Sequence, residues 1–240
     1  MVINYKILNN GCSFSVDREG IKTNKEWESY CKFLPGQVYN IAKSGSGIEC
    51  DRLIKWLNEQ KQPLTHFIYQ VPSPTRQLIW SELNDEQFLK APITVGGKDR
   101  KRFFPKKDDS QEHMDWLAGV KLKTLLEHKQ DTKIFEHKTR YLKKALLELE
   151  KTTTLIREHY PNIKIIFLRY EEDIRPLIHE FHKHWFKHDL LNFCNNNNIT
   201  YIYENNFRVS WFWKNKLTAD KRHPNIEGAK LIAEKIAMYL

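Results

Sequence analysis

The chain lacks any long hydrophobic run. Its longest, residues 163–168, is short and broken by Lys164, far below the roughly 20 apolar residues that cross a bilayer as a helix. A membrane partner is therefore not expected. The first six residues (Met1-Val-Ile-Asn-Tyr-Lys6) contain no basic region followed by an apolar stretch, so no signal peptide is expected and a cytoplasmic location follows. Cysteine is scarce. Cys12, Cys31, Cys50 and Cys194 form no Cys-x-x-Cys pair and no zinc-finger spacing with histidine, which points to reduced, mostly buried thiols. Glycine and proline number only 9 each, and low complexity is confined to residues 195–198, which excludes collagen-like and linker-dominated chains. Glycine loops of the Walker or dinucleotide type are also missing, and no cofactor is expected.

What is present is a 40% apolar composition over 240 residues, enough for a substantial core in one large domain. Lys plus Arg number 39 against 30 for Asp plus Glu, a net charge of +9, which favours anionic partners. The excess is spread along the chain. Its densest cluster, residues 98–107, holds two phenylalanines and reads as a solvated loop, with an anion-binding loop as the alternative. Nucleic acid is not the expected partner, and the oligomeric state is left open.

Residues 2–8 are rich in Val, Ile, Tyr and Leu and end at Asn9-Asn10-Gly11, the pattern of a strand followed by a turn. Residues 37–42, 65–71, 163–169 and 199–203 read as four further strands. Cys50, Leu53, Ile54 and Leu57 fall at the spacing of an amphipathic helix, as do Ala229, Ile232, Ala233, Ile236, Ala237 and Leu240 behind Pro224. Another helix is expected over 176–194. Strands alternating with helices predict an α/β fold, because parallel neighbours need crossover connections that cover both faces of the sheet. About 90 residues separate the third and fourth strands, with helical periodicity over 114–126 and 134–156. Residues 82–160 are read as a helical insertion within a single domain spanning 1–240.

Ligands of open parallel sheets bind beyond the carboxyl ends of the strands. There the sequence carries Gly11-Cys12-Ser13-Phe14-Ser15, Ser44-Gly45-Ser46-Gly47 and Gln70-Val71-Pro72-Ser73-Pro74-Thr75-Arg76, with Asp220-Lys-Arg-His223-Pro224-Asn225 before the last helix. A serine hydroxyl needs a neighbouring base to attack at neutral pH, and the base needs a carboxylate to hold its tautomer. The spacing Asp-x-x-His can bring a carboxylate to Nδ1 and leave Nε2 facing Ser13. Asp220 and His223 are the sole such pair in the chain. Each residue also has a structural alternative: Ser13 as a turn serine, Cys12 as a rival nucleophile, Asp220 as a helix cap and Gly45 or Gly47 as tight-turn glycines. The histidines between 179 and 188 read as a solvated helix face rather than a metal site, and Trp211-Phe212-Trp213 as core or pocket wall.

The arrangement resembles the SGNH hydrolases, or GDSL-type esterases and lipases, in a Gly-Cys-Ser-Phe subtype. Gly11-Cys12-Ser13-Phe14-Ser15 is similar to their first block, with Cys12 where Asp is usual. Asn40-Ile-Ala-Lys-Ser-Gly45 is similar to the second, and Asp220 to Asn225 with Gly228 to the last. The resemblance implies a flavodoxin-like five-stranded parallel sheet and a serine esterase acting on a small-molecule or glycan ester. Ser13 would be nucleophile, His223 base and Asp220 orienting acid, with the N–H groups of Ser13 and Gly45 in the oxyanion hole. A small acyl group such as acetyl on a sugar or other polar substrate is the expected target. The third block departs: where the family carries the donor Asn stands Pro72, which has no N–H, or, shifted by one, Ser73. Ser73 or Gln70 could supply the missing donor, and Arg76 could contact substrate. A catalytically degraded module binding glycans or other anionic ligands is the alternative reading.

Overall fold

The computed structural model describes residues 4–12, 15, 28–42, 48, 50–60, 62–72, 134–170, 188–203, 209–219 and 223–240. Five strands, β1 (Lys6–Asn10), β2 (Gln37–Asn40), β3 (His66–Gln70), β4 (Lys164–Leu168) and β5 (Thr200–Ile202), pair in the order β2-β1-β3-β4-β5. Every pairing is parallel. The α/β class and all five expected strands are present. Helices are α1 (Asp51–Glu59), α2 (Ile134–His159), α3 (Leu190–Asn196), α4 (Val209–Lys214) and α5 (Ile226–Ala237), with a 3-10 turn at Tyr30–Phe33. Among the described residues no helix is long and apolar enough to cross a membrane.

Alternation along the strands sends side chains to two separate cores. Leu8, Phe67, Tyr69, Ile165 and Phe167 meet Leu53 and Trp56 of α1, Leu149 and Ile156 of α2, and Leu190 and Cys194 of α3. On the opposite face Ile7, Ile68, Ile166, Leu168 and Ile202 meet Tyr30 and Cys31 of the 3-10 turn, Phe212 of α4, and Ala229, Ile232 and Ile236 of α5. The central strand β3 is buried along its whole length, as expected of a parallel strand covered on both sides.

β1 differs from the sequence reading at its end. β1 runs to Asn10 instead of ending in a turn at Asn9, because both asparagines are fully buried and hydrogen-bonded. α2 lies inside the stretch expected as an insertion, and its C-terminal half packs on the sheet between β3 and β4 in chain order. The rest of that stretch, residues 82–133, lies outside the described residues, as does most of the helix expected over 176–194. Trp211-Phe212-Trp213 lies in α4, where Phe212 is core and Trp213 is half exposed.

Candidate active site at the carboxyl ends of β1 and β3

The chain leaves β1 toward β2 on one side, while β3 lies on the other. This is the switch point at which α/β sheets bind ligands, and β1 opens there into Gly11 and Cys12. A bond from Ser15 N–H to Cys12 O, 3.0 Å, closes a turn across positions 13 and 14. Glycine at 11 has a steric cause: a Cβ there would lie 2.8 Å from Ser15 Oγ and 2.9 Å from Gln70 Cβ.

Behind this turn is a closed circuit of hydrogen bonds, buried at Ser15, Tyr30 and Asn9 and part-buried at Asn40. Ser15 Oγ donates to Tyr30 Oη (3.1 Å), and Tyr30 Oη donates to Asn9 Oδ1 (2.7 Å). Asn9 Nδ2 donates to Asn40 Oδ1 (2.8 Å), and Asn40 Nδ2 returns to the Ser15 carbonyl (2.7 Å). The Ala42 N–H also donates to Asn40 Oδ1 at 3.1 Å, which fixes the orientation of that amide. The circuit locks the exits of β1 and β2 together, so the two loops that follow start from one rigid base. Fully satisfied buried networks of this kind specify a single arrangement.

His223 is partly exposed and comes from the segment before α5. Ala219 N–H donates to His223 O at 2.9 Å, across positions 220–222, and Thr218 bridges Pro224. Asn225 caps α5 by accepting from Gly228 N–H (2.9 Å) and ties back by donating to Lys216 O (2.9 Å). Gly228 is required because a Cβ would lie 2.2 Å from Leu217 O. A two-residue strap joins this segment to the β1 turn: Glu28 N–H donates to Pro224 O (3.0 Å), and Ser29 Oγ donates to Ser15 O (3.0 Å).

Of the proposed catalytic, oxyanion and substrate-contacting residues, Gln70 and His223 are described. Gln70 ends β3 and its side-chain oxygen accepts from both the N–H and the thiol of Cys12. Cys12 is fully buried in this contact, which shields it from the role of rival nucleophile. Ser13, Gly45, Ser73, Arg76 and Asp220 lie outside the described residues, as do the basic cluster at 98–107 and the histidines from 179 to 184. Among the described residues no group of three or more His, Cys, Asp or Glu side chains could hold a metal ion. Sequence reasoning missed Asn9, Tyr30, Ser29 and Arg52. The one available signal was the unusual pair of asparagines at a strand end.

No family model matches the chain, and no curated protein matches it in sequence. Among solved structures it is similar to a protein from Parabacteroides merdae designated a GDSL-like lipase. That match is 14% identical, covers 97% of this chain and 95% of the other, and has a TM-score of 0.50. It is also similar to a protein from Streptococcus pneumonia designated a platelet activating factor, at 13% identity, 99% and 85% coverage and a TM-score of 0.51. The likeness is one of fold: over the described residues the chain has the five-stranded parallel α/β fold of GDSL-like hydrolases.

Proposed function

We propose that the protein is a serine esterase in which Ser13 is the nucleophile, His223 the base and Asp220 the acid that orients it. The observation that carries this reading is the Glu28-Ser29 strap, which ties the β1 turn bracketing position 13 to the segment bearing His223. The hydrogen bond from Ala219 N–H to His223 O supports a pairing of Asp220 with His223, since it draws the ends of that short loop together.

In the proposed reaction Ser13 Oγ attacks the ester carbonyl carbon and His223 takes the serine proton. The tetrahedral oxyanion is held by the N–H groups of Ser13 and Gly45, with a third donor from Ser73. Collapse expels the alcohol, which receives the proton from His223, and leaves an acyl-serine that water hydrolyses by the same steps. The substrate class is a small acyl ester, such as acetyl, on a sugar or other polar alcohol, which Arg76 would contact. The shared fold and the position of the site at the switch point support this reading.

The test is hydrolysis of p-nitrophenyl acetate by the wild type and by Ser13→Ala. Turnover in the wild type that falls to background in the variant is expected. Equal rates in the two remove Ser13 from the mechanism.

A further inference from the structure

The polar contacts of Gln70 define a role different from either of those considered for the third oxyanion donor. Gln70 is fully buried. Its Oε1 accepts from Cys12 N–H at 3.1 Å and from Cys12 Sγ at 2.9 Å, while its Nε2 donates to Val71 O at 3.4 Å. Cys12 presents two donors to one point, so only the oxygen of the amide fits there.

The same peptide is gripped from its other side. The carbonyl of Gly11 shares a planar peptide with Cys12 N–H, and it accepts from Arg52 Nη2 at 3.3 Å. That Nη2 also reaches Asn10 Oδ1 at 3.0 Å, which in turn accepts from Gly11 N–H at 2.8 Å. The carbonyl of Cys12 is held too, because it accepts from Ser15 N–H. In a trans peptide a carbonyl and the N–H that follows it point in opposite directions, so fixing one fixes the other. Cys12 is thus held at its N–H, its thiol and its carbonyl.

We infer that Gln70 is a positioning residue which, with Arg52, clamps the Gly11–Cys12 peptide and so aims the backbone N–H of Ser13, rather than donating to the oxyanion itself. The inference rests on Ser13 as the nucleophile. It also accounts for Cys12 where the family's pattern has Asp: the thiol is the partner that Gln70 requires.

The test compares Gln70→Met, Cys12→Ala, Cys12→Ser and the Gln70→Met/Cys12→Ala double variant in p-nitrophenyl acetate kinetics, with hydrogen exchange at the Cys12 amide. Gln70→Met is expected to lower kcat about 10- to 100-fold with KM within about twofold, the cost of a misaimed group. Cys12→Ala is expected to lower kcat about 2- to 10-fold, the worth of one neutral hydrogen bond, and Cys12→Ser to recover most of it. The double variant should be no slower than Gln70→Met, and exchange at Cys12 should speed up in Gln70→Met. A Cys12→Ala enzyme at full rate beside a crippled Gln70→Met enzyme overturns the inference, because that is the pattern of a direct donor. Equal factors for Cys12→Ala in both backgrounds, or unchanged Cys12 exchange, overturn it as well. The Cys12 variants decide the matter should Gln70→Met not fold. A wild type that neither turns over ester nor labels at Ser13 refutes the proposed function alone, and exchange at Cys12 still reports whether Gln70 holds it.

Discussion

Tyr30→Phe deletes one oxygen from the centre of the hydrogen-bond circuit. Tyr30 is 1% exposed, and its hydroxyl both donates to Asn9 and accepts from Ser15. Asn9 and Ser15 are fully buried, so water cannot replace the lost partner without opening the structure. A buried group left without its partner costs about 1–3 kcal/mol. Two such groups, less the desolvation that the absent hydroxyl no longer suffers, give a loss of about 2–4 kcal/mol. For a chain of this length that corresponds to a fall in Tm of about 5–15 °C. The comparison variant is Tyr201→Phe. Its hydroxyl is buried with no hydrogen-bond partner among the described residues, and burial pushes its pKa well above the usual 10. Removing that oxygen should leave stability unchanged or raise it by about 1 kcal/mol. Urea unfolding followed by circular dichroism measures both. A Tyr30→Phe protein within about 0.5 kcal/mol of wild type, or a Tyr201→Phe protein losing as much as Tyr30→Phe, would refute the reasoning that the circuit is what holds the β1 exit.

Gly11→Ala should cost about 1–3 kcal/mol through overpacking against Ser15 Oγ and Gln70 Cβ, and it should lower esterase kcat more than KM. Thermal melting together with steady-state kinetics checks both parts. The His66 pKa is held below its usual 6.5, first by burial and then by the Lys164 ammonium on the neighbouring strand. Below about pH 6.5 the unfolded chain takes up a proton that the folded one resists, so the His66 contribution is present above that pH and is lost as pH falls through the lowered pKa. A His66→Gln variant should therefore show a flatter fall in stability on acidification, measured by denaturant titration between pH 7 and 5.

The strands were legible because buried parallel strands are continuous runs of aromatic and β-branched residues, as in His66–Gln70 and Lys164–Leu168. The end of β1 was not, because Asn9-Asn10-Gly11 carries the local chemistry of a turn. What keeps those asparagines in a strand comes from Tyr30, Asn40 and Arg52, distant in sequence and marked by no periodicity. The helical character of residues 134–156 was visible in its spacing, but its part in the core was not, since an amphipathic stripe does not reveal which surface it meets. At the site, the placement of His223 before the last helix was readable from the block that ends in Asn225 and Gly228. The strap through Glu28 and Ser29 was hidden, because one of its two bonds uses only backbone groups. Gln70 was found for its amide, yet the atom that matters in its contacts with Cys12 is the carbonyl oxygen.

Incubation with a fluorophosphonate probe, followed by mapping of the labelled peptide, tests the central claim most directly. The account predicts one covalent adduct, on Ser13, abolished by His223→Ala as well as by Ser13→Ala. An adduct on another serine, or none in a folded wild-type protein, would contradict it.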